Sequence, residues 1–104
     1  MPNVVRRTLT INGEKWKLLF RAPRKSDAPE VDVAPDDEGL CSYEDNTIYI
    51  KPSGEALGTA IHEVLHAVLP DNDEDSIARA EDAVMRLLSV FPKQYLCKET
   101  AFEL

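Results

Sequence analysis

Ala60-Ile-His-Glu-Val-Leu-His-Ala-Val68 carries both histidines of the chain, His62 and His66, one helical turn apart. Around it Leu57, Ile61, Val64, Leu65 and Val68 recur at the spacing of an amphipathic helix. Pro52-Ser53-Gly54 opens that helix, with Ser53 as the expected N-cap. Pro70 closes it, because a proline pushes the residue before it out of the α region. After the polar turn Pro70-Asp-Asn-Asp73, a second helix is expected from Glu74 to Phe91, with Ile77, Ala80, Val84, Leu87, Leu88 and Phe91 on one face. Acids fill its first turn, where the helix dipole favours them.

Upstream the period changes from helix to strand. Asn12-Gly13 lies between Val4–Ile11 and Glu14–Ala22, a hairpin signal because a type I′ turn needs positive φ at both central residues. A two-residue turn pairs Ile11 with Glu14, Leu9 with Trp16, Arg7 with Leu18 and Val5 with Phe20, which puts Val5, Leu9, Trp16 and Phe20 on one face. Residues 23–39, with Pro23, Pro29 and Pro35, read as a loop or flap in which Glu30–Ala34 could form a short edge strand. Asn46–Lys51 alternates as a further strand. The expected fold is α+β: a hairpin and further short strand forming a small sheet, with two antiparallel helices over it. At 104 residues the chain is one domain.

Composition narrows the function. The net charge of -7 argues against general binding to nucleic acid or anionic membranes. The charge is uneven. Residues 1–25 hold seven bases and one acid, a net of +6; the remainder holds five bases and 18 acids, a net of −13. The basic stretch reads as the solvated outer face of the hairpin, or as a patch that docks a partner. No apolar run is long enough to span a membrane, and the N-terminal stretch predicts no secretory leader. Two cysteines, Cys41 and Cys97, without a CxxC, fit a reducing cytoplasm.

The chemistry lies in His62-Glu63-Val64-Leu65-His66. Two imidazoles at i and i+4 share one side of a helix and can bind one metal ion. At about 100° per residue from Ile61, they flank the apolar stripe, at the edge of the core where a metal can still meet water. Glu63 is displaced from the pair and is the candidate general base. Catalytic zinc takes three protein ligands and keeps an open position. With no third histidine and no cysteine close by, the third ligand is expected from a carboxylate of the second helix. Glu74 and Glu81 fall inside its apolar stripe, while Asp75 and Asp82 fall on the solvent side. Side chains tilt toward their helix N-terminus, so Glu81 would reach back toward the histidines and Glu74 would point away. Glu81 is therefore the favoured ligand and Glu74 the alternative. A salt bridge from Glu81 to Arg21 is the competing role.

Gly39-Leu-Cys-Ser-Tyr-Glu-Asp-Asn-Thr-Ile-Tyr-Ile50, Ala60–Val68 and Glu74–Leu88 together resemble the small phage and bacterial zincin-like metallopeptidases, of minimal gluzincin type, akin to the ImmA/IrrE and SprT-like groups. The resemblance covers residues 39–92 and is most specific at the HExxH element. It implies a zinc ion held by His62 and His66, Glu63 as general base, and hydrolysis of a protein or peptide substrate in the bacterial cytoplasm. Neither a C-terminal zinc ribbon nor a helix-turn-helix is present, so no nucleic-acid role is implied. Tyr43, Tyr95 and Arg79 are candidates to meet the oxyanion, and Thr47–Ile50 is the candidate edge strand for an extended peptide. Cys41 is expected to be a buried thiol. A non-enzymatic metal-binding scaffold that acts on a protein partner is the alternative function.

Overall fold

In a computed structural model the protein is α+β, a four-stranded sheet with two main helices. The structure describes residues 4–29, 33 and 37–96. In chain order the elements are β1 (Val5–Ile11), β2 (Glu14–Phe20), β3 (Gly39–Ser42), β4 (Thr47–Ile50), α1 (Ala56–Val68), α2 (Glu74–Val90) and the single turn α3 (Lys93–Leu96).

The hairpin has the expected register, from Val5↔Phe20 to Ile11↔Glu14. Its turn uses positive φ at Asn12 (51°) and Gly13 (83°), as a type I′ geometry requires. β1 delivers only its last residue, Ile11, to the core and β2 delivers Trp16, while Val5 and Leu9 stay exposed.

The sheet order is β1-β2-β4-β3, with β2 and β4 parallel and β3 antiparallel to β4. Gly39–Ser42 is thus a strand that the sequence pattern did not disclose. Thr47–Ile50, expected at an edge, is an interior strand with all four residues buried. A strand hydrogen-bonded on both sides cannot accept a peptide. The edge beside the helices is β3.

α1 lies across β3 and β4, and α2 packs mainly on α1. The helices therefore form successive layers, where both were expected on the sheet. The core joins Ile11, Trp16, Ile48, Ile50 and Ala67, with Leu18, Phe20, Cys41, Ala60 and Val64 around it. Leu57, expected inside, is 57% exposed, and Leu87 is exposed on α2. α1 begins later than expected. Ser53 Oγ accepts from the Glu55 N–H at 3.2 Å in a turn that precedes the helix. At its other end Asn12 Nδ2 donates to the Val68 carbonyl at 3.0 Å, so the hairpin turn satisfies one orphan carbonyl of α1. α2 starts as expected, with Asp73 accepting from the Ser76 N–H at 2.8 Å.

The opposite sheet face is closed by the segment after β2. Arg21 lies 4.8 Å over the Tyr49 ring and forms a two-pronged ion pair with Asp27, at 2.7 and 3.0 Å. Arg21 is therefore committed to Asp27 and does not pair with Glu81. Of the Glu30–Ala34 segment only residue 33 is described, without regular structure. Cys97 lies outside the described residues.

Candidate metal centre

His62 and His66 project from consecutive turns of α1 with their Nε2 atoms 3.2 Å apart. Glu74, the first residue of α2, turns its carboxylate onto this pair: Oε2 is 2.8 Å from His62 Nε2 and Oε1 is 2.9 Å from His66 Nε2. Among the described residues these three offer ligand atoms that all lie within 4.8 Å of one another.

Glu81, the favoured third ligand from the sequence, meets the other nitrogen of the His62 ring. Its Oε1 lies 2.8 Å from Nδ1. The structure thus groups Glu74, the alternative, with the two Nε2 atoms and sets Glu81 behind the ring, and the reason is register. The tight turn through residues 69–73 sets Glu74 level with His66, so a modest tilt suffices to reach both rings. Glu81 sits level with Gly58 and tilts back only as far as the rear of His62. A Cβ on Gly58 would stand 3.1 Å from Glu81 Oε2, so this glycine in the first turn of α1 leaves room for the carboxylate.

The donor set suits a zinc ion. Ligands at about 2.0–2.1 Å in tetrahedral array stand about 3.3 Å apart, close to the 3.2 Å between the two Nε2 atoms; each of these nitrogens meets a different oxygen of Glu74, at 2.8 and 2.9 Å. The slightly shorter N···O distances are those of hydrogen bonds. A carboxylate on Nδ1, as Glu81 is placed here, favours the tautomer with the proton on Nδ1 and would leave Nε2 free to coordinate. Without a metal, partial burial works against a charged His62 ring, but the Glu81 hydrogen bond and the charges of Glu74 and Glu63 outweigh it and raise its pKa.

Glu63 lies against β3, beside Gly39, in the recess that His62 and His66 also line. Gly39 crosses it so closely that an added Cβ would lie 2.5 Å from Thr59 Cγ2 and 3.1 Å from Glu63 Cγ and Oε2. Burial pushes the Glu63 carboxyl up to about 7; the His62 ring opposes this, and the charges of Glu74, Asp37 and Glu81 add to it. That is the range in which a carboxylate both accepts and returns a proton at neutral pH.

A recess of about 360 Å³ borders His62, Glu63, His66 and Glu74, with Gly39, Cys41 and Tyr43 on its β3 side. Of the oxyanion candidates, Tyr43 alone lines it. Its hydroxyl donates to the His66 carbonyl at 2.8 Å and pins the end of α1. Arg79 belongs to the outer face of α2, and Tyr95 packs edge-on against Phe91. Cys41 is half-buried and free, and burial pushes its thiol up to about 12, so it is not a ready thiolate.

Comparison of the chain with family models, with characterised proteins and with solved structures returns no match. The fold and the site stand on their own geometry. No helix among the described residues is long and apolar enough to cross a membrane.

Proposed function

We propose that the protein is a zinc-dependent peptidase in which His62, His66 and Glu74 hold the metal and Glu63 is the general base. The observation that carries this reading is the convergence of two Nε2 atoms on both oxygens of Glu74, with a separate, buried carboxyl of raised pKa beside them. A structural metal site has no use for the additional acid; a hydrolytic one does.

A bound zinc ion would supply Lewis acidity, making a water acidic near neutral pH and polarising a scissile carbonyl. The rest falls to the chain. Glu63 takes the proton of the attacking water and returns it to the leaving amine nitrogen. Glu81 holds the His62 ring in orientation through Nδ1. β3 offers the peptide a place to lie. The Lys51 N–H donates to the Glu38 carbonyl, which sets the hydrogen-bonded pairs of the β3–β4 ladder. By alternation the backbone groups of Gly39 and Cys41 face away from β4. An extended peptide added there passes the Glu63 carboxyl.

The test is Glu63→Gln. It should bind zinc stoichiometrically and lose peptidase activity by about two to four orders of magnitude. Wild-type protein that holds stoichiometric zinc and cleaves no peptide library would favour a metal-holding scaffold that acts on a protein partner.

A further inference from the structure

We infer that the outer edge of β1 is a docking site for an extended acidic segment of another protein, which adds to the sheet as a further strand. This surface lies at the opposite edge of the sheet from β3 and is independent of the peptidase reading.

β1 stands at one end of the order β1-β2-β4-β3, and no described element pairs with its outer side. It is seven residues long, and all of them but Ile11 are exposed. The Lys17 N–H donates to the Asn46 carbonyl at 2.9 Å, so the backbone of Lys17 faces the start of β4 and turns away from β1. Thr8 is opposite Lys17 in the hairpin. The N–H and C=O of Thr8 therefore face outward, as do those of Arg6 and Thr10 by alternation. One of these groups is met by a neighbouring side chain: Arg7 Nη1 donates to the Arg6 carbonyl at 2.7 Å. The Arg7 guanidinium thus lies on the edge itself, in the path of an added strand. A strand N–H that takes over the Arg6 carbonyl frees that guanidinium for a carboxylate.

The side chains around the edge select the occupant. Arg6, Arg7, Thr8, Lys17 and Leu19 enclose a hollow of about 400 Å³. Among the described residues neither Arg6 nor Lys17 has an ion-pair partner. On the other face Val5 and Leu9, 49% and 39% exposed, leave apolar surface open on either side of Arg7. Outward backbone groups, exposed apolar side chains and unpaired cations are satisfied together by a strand that carries carboxylates among apolar residues. A second copy of the chain would set the same bases against Arg6 and Arg7, which like-charge repulsion opposes. A nucleic acid offers phosphates to the cations but no ladder to the outward N–H and C=O groups, and it meets a chain of net charge -7.

The test uses the whole chain carrying Glu63→Gln, so that binding is read without turnover. Fluorescent peptides of equal length, in which valine alternates with glutamate, glutamine or lysine, are compared by anisotropy. The glutamate peptide should bind at least about tenfold more tightly than the glutamine peptide, with the gap narrowing as salt is raised, and the lysine peptide most weakly. A backbone N-methylated glutamate peptide keeps its charge and loses its strand donors, and should bind at least about tenfold more weakly. Adding Arg6→Gln, Arg7→Gln and Lys17→Gln should abolish the preference for glutamate. Adding Arg79→Gln and Arg86→Gln, on the outer face of α2, should leave it intact. Equal binding of the glutamate and glutamine peptides, undiminished binding of the methylated one, or an equal loss in both sets of variants overturns the inference. Two further outcomes would also overturn it. Sedimentation could show a dimer that Thr8→Pro dissolves, since this proline removes an outward N–H and spares the hairpin bonds, and the edge would then belong to a second copy. Displacement of the glutamate peptide by single-stranded DNA that binds more tightly to the same residues would give the edge to nucleic acid.

Discussion

His62 Nδ1 lies 2.8 Å from Glu81 Oε1, behind the ring whose Nε2 faces Glu74 and His66. One imidazole is thus gripped by two carboxylates of α2 that have different work. In the proposed metal site the carboxylate in front would complete the donor set and the one behind would fix the ring. Removing the front carboxylate would then remove a ligand, and removing the rear one would only loosen one.

Zinc content should separate the two roles. Glu74→Ala should purify without stoichiometric zinc. Glu81→Ala should retain zinc with affinity weakened by about 10–100-fold. Metal analysis and a competitive chelator titration read both. Loss of zinc from Glu81→Ala with retention in Glu74→Ala would reverse the assignment.

Gly39→Ala should destabilise the fold by about 1–3 kcal/mol, the usual cost of an inserted methyl that cannot be accommodated. The new Cβ would stand 2.5 Å from Thr59 Cγ2, far inside contact distance. Thr59→Ser deletes that methyl, so the double variant should recover part of the loss in denaturant melts. A Gly39→Ala protein of wild-type stability would contradict the close passage of β3 over α1.

Glu63 gives the metal-free protein a pH signature. Its folded pKa, pushed to about 7, lies above the ordinary 4.5, so the neutral acid is the form the fold prefers. Its contribution to stability is complete below about 4.5 and is lost as pH rises through about 7. Glu63→Gln keeps the shape and cannot ionise. Metal-free Glu63→Gln should therefore melt higher than metal-free wild type at pH 8 and alike at pH 4. A difference that grows toward acid would refute the buried-carboxyl account.

Asp27 works in the opposite sense. The Arg21 hydrogen bonds outweigh the cost of burial and hold its carboxyl below the ordinary 3.8. Its stabilisation is present above the ordinary value and is lost as pH falls through the folded one. Asp27→Asn should cost about 1–3 kcal/mol at pH 7, as for a charge-assisted hydrogen bond, and the gap to wild type should close on acidification below about pH 4. Urea melts across pH 3–7 check this, and a constant gap would argue that Asp27 acts through packing alone.

The hairpin was legible in the sequence because Asn12-Gly13 fixes turn and register together. The two helices were legible because their apolar spacing and the breaks at Pro70 and Pro92 are local signals. The pairing of His62 with His66 followed from helical spacing alone. β3 was hidden because Gly39-Leu-Cys-Ser is too short to show alternation, and its turn rests on Asn46 at φ 50° with no glycine to mark it. Leu57 looked like a core residue because periodicity reports a face and not what covers it.

The sequence by itself determined that His62 and His66 share one side of α1, since helix geometry converts spacing directly into proximity. Only the tertiary structure decided that Glu74 faces the Nε2 pair and Glu81 backs His62. That choice depends on the axial register between two helices, which sets which of two carboxylates about two turns apart on α2 lies opposite each ring nitrogen. It likewise decided that β3, and not β4, is the edge beside Glu63, because strand order is set by long-range pairing that no local pattern records.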